Sequence, residues 1–398
     1  MKYMGDIMSS VPALNGDGLR KSGRMKICHL GNYGKNIGDN AALYNIRQFY
    51  PKSIEWISCD LGKFHERRND FGLVSAMIKE LNSTCDAFLI GGGGMIQGGV
   101  CNRLLTGWNL PFNEKTLALI DKPIICFGLG VNLFRGMPGL SEVGVANLRL
   151  LIEKSALFSV RNDGSRETLE KYIPINQIID KVLEVPDPGL IFASQKDRKS
   201  VVKKGFFQPA KNGHPKINKH RNMSDDTRVF LERFCIDNSL ISMPHTSKDF
   251  NFFINKMGAK DLVKNWREFK PWLRLLSEER YLDSLGCYRE LDYCVAMRGH
   301  GQLISCGLNV PSISLSTQDK VFDFAMKNGY KDYVVDTYDQ NDWKKILIEK
   351  TKALRNSKNY LSEWYDINEA NLKIWRKEFL EFVDATKATL CINDRSNP

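Results

Sequence analysis

An α/β architecture with two parallel sheets is predicted by three features of the sequence. Short apolar runs alternate with longer helix-like stretches in both halves of the chain, as strands and their crossover helices do. Most of these runs end in glycine, or in a turn carrying proline or arginine, which is the punctuation expected at strand ends. The 398 residues are also enough for two ordinary domains, each with its own core.

In the first half, residues 25–30 read as a strand that breaks at Gly31-Asn32-Tyr33-Gly34. Residues 40–49 form the helix that follows, with Asp39 placed as its N-cap. Strands at 54–60 and 86–90 flank a helical stretch at 73–81, and the second runs into Gly91-Gly92-Gly93-Gly94. A strand at 122–127 closes at Gly128-Leu129-Gly130, and a helix at 143–154 leads to a strand at 157–160. Arg161 then precedes Asp163-Gly164-Ser165, which caps a helix reaching 172. Pro186 and Pro188 stop any further regular element.

The basic stretch 196–204 reads as a linker. Beyond it, strands at 240–243, 292–297 and 312–315 end at Pro244-His245, at Arg298-Gly299-His300-Gly301 and shortly before Lys320. Helices are expected at 266–276, 302–307 and 320–328. In the last segment Leu361, Trp364, Tyr365, Ile367, Leu372, Trp375, Phe379 and Phe382 fall at largely helical spacing, which predicts a long helix packed across both halves. The expected division is a flexible leader at 1–24, domains at 25–193 and 194–355, and a C-terminal helix and tail at 356–398.

Composition narrows the class. With 42% hydrophobic and 26% charged residues the chain is ordinary for a globular protein, and no run approaches the ~20 apolar residues of a membrane span. The first 24 residues lack a continuous apolar core and carry two aspartates, unlike a secretory or transit signal. None of the ten cysteines forms a C-x-x-C pair, so neither structural zinc nor a disulfide framework is expected and a reducing cytoplasm fits. The formal charge of +11 is spread along the chain without a nucleic-acid motif. An anionic small substrate or an anionic membrane face explains that sign equally well.

Several residues carry candidate chemistry. The segment from Gly31 to Asp39 follows a strand and opens a helix, where free N–H groups attract anions, yet its spacing is not the dinucleotide fingerprint, so NAD is disfavoured. A tight turn without ligand reads these glycines equally well. Gly91, Gly92 and Gly93 at a strand end suggest a close approach to the main chain, by a ligand or by the other domain. Arg298 offers a planar fork for carboxylate or phosphate, and His300 beside it suits proton transfer near neutrality, against the common structural use of a lone histidine. Lys320 and Arg161 sit at equivalent strand-end positions; a solvated lysine and a helix-capping ion pair are their plainer readings. His245 is placed beside the same cleft.

Seven segments in this order resemble the polysaccharide pyruvyl transferase family. They are Gly31-Asn32 with Asn36 and Gly38-Asp39, Leu89 to Gly93, Phe127 to Val131, Ser159 to Ser165, Asp187-Pro188-Gly189, Met243-Pro244-His245, and Met297 to His300 with Lys320. The resemblance runs from about residue 25 to 335. It implies two Rossmann-like domains facing across a cleft, as in GT-B glycosyltransferases. It also implies transfer of the enolpyruvyl group of phosphoenolpyruvate onto two hydroxyls of a saccharide, giving a pyruvate ketal and phosphate. His300 would be the acid, and Arg161, Arg298 and Lys320 would hold the donor. Gly31, Asn32, Asn36, Asp39, Gly91, Gly92, Gly93 and His245 would shape the cleft. No cofactor, metal or nucleic acid is expected, and the acceptor is free, nucleotide-linked or lipid-linked; the last would bring the chain to the inner membrane face. A nucleotide-sugar glycosyltransferase and a non-catalytic saccharide-binding relative are the alternatives.

Overall fold

The computed structural model describes residues 24–33, 36–62, 64, 70–99, 101, 104–133, 138–173, 181–192, 195–210, 224–246, 249, 288–337 and 342–392. The helix expected at 266–276, Gly34 of the first glycine segment and the leader up to residue 23 lie outside them.

The first sheet has six strands: β1 (Lys26–Gly31), β2 (Glu55–Asp60), β3 (Ala87–Gln97), β4 (Ile124–Asn132), β5 (Leu157–Arg161) and β6 (Val182–Val185). The second has five: β7 (Gly205–Gln208), β8 (Ile241–Ser242), β9 (Tyr293–Ala296), β10 (Ser312–Ser316) and β11 (Val334–Asp336). Every pairing in both sheets is parallel. Their orders are β2-β1-β3-β4-β5-β6 and β11-β10-β9-β7-β8. Counted from its own first strand, each sheet begins 2-1-3-4-5, so each has a switch point beside its first strand, where open α/β sheets bind ligands. The two-sheet α/β architecture expected from the sequence is the one observed.

Ten α-helices are described: α1 (Ile37–Arg47), α2 (Phe71–Thr84), α3 (Glu114–Leu117), α4 (Glu142–Lys154), α5 (Ser165–Glu170), α6 (Asp225–Asp237), α7 (Gly299–Gly307), α8 (Asp319–Lys327), α9 (Trp343–Asn356) and α10 (Lys358–Thr389). Local chemistry accounts for their starts: Asp70, Asn113, Ser141, Ser224 and Ser357 each accept from a backbone N–H of the first turn. Helix α10 buries Leu361, Trp364, Tyr365, Leu372, Trp375, Phe379 and Phe382, nearly the stripe read from the sequence. Phe379 and Phe382 pack on Phe127 of the first sheet at 5.1 and 4.6 Å between ring centroids. Asn368 donates to Cys306 O (3.1 Å) and Asn309 Oδ1 (2.9 Å) of the second half, so one helix ties the halves together. No described helix is long and apolar enough to cross a membrane.

Three local expectations are corrected. Strands β3 and β4 do not stop at their glycines but continue through them to Gln97 and Asn132, because the two strands pair with one another beyond that point. The N-cap of α1 is Asn36, whose Oδ1 accepts from Gly38 N at 3.0 Å, so the helix starts at Ile37 and Asp39 lies in its first turn. The long stretches between the recognised motifs also hold β6, β7, β11, α6 and α9, which the sequence reading passed over.

Candidate active site

A cavity of about 190 Å³ lies where the carboxyl ends of both sheets meet. From the first half come Asn32, Asn36, Asp39, Gly94, Gln97, Asn132, Arg161 and Asp163; from the second come Arg298, Gly299, His300, Gln302, Leu303, Gln318, Lys320 and Phe324. Of the residues singled out in the sequence, Asn32, Asn36, Asp39, Arg161, Arg298, His300 and Lys320 are therefore brought together.

Others are not. Gly31, Gly91, Gly92 and Gly93 do not line this cavity. A Cβ at Gly31 would overlap the Leu43 side chain, and one at Gly91 would lie 2.6 Å from Phe127 O, so the first lets β1 and α1 close on each other and the second lets β3 and β4 do so. Gly92, at φ +80°, is the position in the run whose backbone conformation favours glycine. His245 is fully buried outside the lining; its Nε2 shares a 2.5 Å hydrogen bond with Tyr288 Oη, and its carbonyl accepts from Ile37 N of α1 (3.3 Å). Burial, then Arg298 and His300, lower its pKa to about 3, so it is a neutral packing residue that braces the halves.

Glycines nevertheless shape the site, in a way the sequence reading missed. A Cβ at Gly38 would occupy the space of the His300 ring, one at Gly130 that of the Arg161 guanidinium, and one at Gly94 that of the Asn132 amide. The missing side chains make room for functional side chains.

Arg161 ends β5 with 1% exposure. It donates from Nη1 to Asp187 Oδ2 at 2.6 Å, and its Nη2 lies 3.0 Å from Asp163 Oδ2. Burial opposes its charge, but these two carboxylates outweigh it and raise its pKa. Asp163 in turn accepts from Ser165 Oγ at 2.5 Å. The ion pair considered for Arg161 is thus present, but it caps no helix, since the N-cap of α5 is Gly164 without a side-chain cap hydrogen bond; the same guanidinium still reaches the cavity.

Arg298 precedes α7, its backbone N–H held by Gln208 Oε1 at 2.8 Å. Its Nε and Nη2 donate to Asp249 Oδ2 (2.8 Å) and Oδ1 (2.7 Å) in a bidentate pair. Asp249 escaped the sequence reading, and no spacing signal marked it: it lies 49 positions before its partner.

Lys320, in the first turn of α8, crosses the cleft and donates to Asn132 Oδ1 at 2.8 Å; Asn132 Nδ2 donates to Gly94 O at 3.1 Å. Burial, and next Arg161, lower the pKa of Lys320 to about 8. His300 Nδ1 stands 3.9 Å from Asp39 Oδ1. Burial, then Arg161, Lys320 and Arg298, hold the imidazole well below its ordinary pKa, so it is neutral at pH 7. Asp39 is raised to about 6, first by burial, with Lys320 and Arg161 opposing the rise.

Helices α7 and α8 have no side-chain cap, and their first turns line the cavity. Two positive helix ends and three cationic side chains thus surround one small volume, an arrangement suited to a compact polyanion.

No curated protein matches this sequence. Solved structures similar to the chain include Staphylococcus aureus MnaA with UDP, at 10% identity over 87% of this chain and 91% of that one, with a TM-score of 0.47. Another is Anabaena HepE in complex with UDP and glucose, at 9% identity over 93% and 100%, TM-score 0.49. A third is Methanocaldococcus jannaschii UDP-GlcNAc 2-epimerase with UDP-GlcNAc and UDP, at 14% identity over 84% and 93%, TM-score 0.44. The sequence model of the polysaccharide pyruvyl transferases matches residues 29–319, from β1 to the start of α8. Because that match covers well over half of the chain, the protein belongs to the polysaccharide pyruvyl transferase family.

Proposed function

We propose that the chain transfers the enolpyruvyl group of phosphoenolpyruvate to two hydroxyls of a saccharide, closing a pyruvate ketal and releasing phosphate. One observation carries this reading within the family: Arg161 from one half, and Arg298 and Lys320 from the other, share a small cavity with the imidazole of His300. The donor packs a carboxylate and a phosphate onto three carbons, and this site brings three cationic groups together on that scale.

In the proposed cycle the three cations and the ends of α7 and α8 bind the donor's two anionic groups. Burial first, and then the same cations, keep His300 neutral before the donor binds. Once the donor's charges offset them, the imidazole regains its affinity for a proton and acts as the acid that protonates the donor's methylene carbon. The neighbouring carbon is then electrophilic. One sugar hydroxyl adds to it, and the second displaces phosphate as the ring closes. One hydroxyl proton ends on the new methyl group and the other on phosphate, so the sum needs no redox step.

Thermal-shift titration tests the donor. Phosphoenolpyruvate at 100 times its dissociation constant adds about 2.7 kcal/mol of stability, which a panel of nucleotide sugars should not reproduce. A shift with nucleotide sugars alone would sink the reading in favour of glycosyl transfer. For the acid, His300→Ala should slow saccharide-dependent phosphate release by roughly 10²–10⁴-fold. Near-normal release from that variant would remove His300 from the role.

A further inference from the structure

The three cations explain how an anion is held, but they leave the site short of protons. His300 is neutral in the empty site, and a neutral imidazole has no acidic proton to give to carbon. One carboxylate is within its reach: Asp39 Oδ1, 3.9 Å from His300 Nδ1. The two residues come from opposite halves, α1 and α7, and both line the cavity. Gly38 supplies the space for the imidazole ring beside that carboxylate. The ring's other nitrogen, Nε2, is buried with no hydrogen-bond partner among the described residues.

We propose that Asp39 and His300 form one proton-carrying pair, which takes up a proton from solvent when the anionic donor fills the cavity and passes it through His300 to the donor's methylene carbon. Asp39 then accepts the proton of the first sugar hydroxyl as that oxygen bonds to the adjacent carbon. The addition step is therefore balanced: a C–H and a C–O bond form, the donor's C=C π bond and the hydroxyl's O–H bond break, and the pair ends with the proton count it had when the donor was bound. In the second step the other hydroxyl's proton leaves with phosphate, which carries away the electron pair of the broken C–O bond. This inference rests on the donor reading above.

The charged groups facing the pair support it. Arg161 of β5 with Asp163 and Asp187 held to it, Lys320 of α8, and Arg298 with Asp249 set three cations against three carboxylates, so the charges facing the pair balance, while buried His245 stays neutral. A bound polyanion tips that balance negative, which favours a proton on either member of the pair. Asp39, already raised to about 6, needs only a small further rise to be protonated at pH 7. Lys320, at about 8, already carries its proton there and so contributes little to the uptake.

Isothermal titration of the whole chain with phosphoenolpyruvate at pH 7, in buffers of different ionisation enthalpy, counts the protons taken up on binding. More than half a proton is expected for the wild type and a small fraction of that for Asp39→Asn. Binding by this variant should be as tight as by the wild type, since a charge that opposes the donor is gone. Asp39→Glu, which restores an ionisable carboxyl, should recover the uptake and serves as the second variant if Asp39→Asn does not fold. Binding without proton uptake in the wild type, or equal uptake in wild type and Asp39→Asn, overturns the pair and leaves the donor reading intact. A complete absence of binding heat and of thermal shift with phosphoenolpyruvate overturns both.

Discussion

The two halves of the molecule approach the cavity with the same strand order and different chemistry. On the six-stranded side the cation is Arg161, sealed from solvent and held by two buried carboxylates, Asp163 and Asp187. On the five-stranded side Arg298 keeps 23% of its side chain exposed beside a single carboxylate, Asp249. Lys320, from the same side, has a neutral amide as its hydrogen-bond acceptor and no carboxylate within ion-pair distance among the described residues. A charge neutralised in place serves as a fixed wall, and a charge without a counter-ion is the one a ligand can claim. By that measure both arginines are held in place, Arg161 the more deeply, and Lys320 is the cation of the second half left for a ligand to claim.

The sharpest way to break this distinction is Arg161→Met. Removing the guanidinium leaves two buried carboxylates unpaired, so a loss of about 3–5 kcal/mol in denaturant-unfolding stability is expected along with activity. A loss below about 1 kcal/mol would mean that Arg161 is not the anchor of its half.

Acidification should expose the cost of the neutral histidines. His29 of the first half, and His245 and His300 of the second, all have pKa values lowered by burial. Below pH ~6.5 the unfolded chain binds these protons and the native fold does not, so stability falls, by about 2 kcal/mol per histidine at pH 5. Asp39 works in the opposite direction: the native state takes its proton first, near pH 6, and recovers about 1.4 kcal/mol by pH 5. Unfolding midpoints at pH 7 and pH 5 should show a net loss, and His245→Gln should flatten it by about 2 kcal/mol. An unchanged acid limb in that variant would contradict the burial assigned to His245.

The smallest stability effect is expected at Lys320. Lys320→Met removes one hydrogen bond, worth about 1 kcal/mol or less in folding, yet it should weaken donor binding roughly tenfold or more, about 1.4 kcal/mol. A stability loss as large as that of Arg161→Met, with donor affinity unchanged, would reverse the roles given to the two sides.

Much of this site was legible in the sequence because strand ends are punctuated locally. Arg161, Arg298, His300 and Lys320 all stand just after apolar runs, and parallel strands point those ends the same way. Asp39 was read in two ways: as a helix cap, a place that Asn36 three residues earlier takes, and through the family resemblance as a cleft residue, which is where it lies. The four-glycine run was legible as unusual but not in its purpose. Which side chain fills the space of a missing Cβ depends on residues distant in sequence: Asn132 for Gly94, and His300 for Gly38.

By itself the sequence determined the α/β alternation, most of the strand and helix positions and the buried stripe of α10, because these follow from local periodicity and turn chemistry. Only the tertiary structure decided which charges are paired. Asp163 stands beside Arg161 in the sequence, but the other carboxylate of Arg161 and the one that holds Arg298 lie 26 and 49 positions away, while Lys320 is left with an amide 188 positions away. Charge pairing depends on distances in space and on the exclusion of water, and neither is encoded in the spacing of residues along the chain.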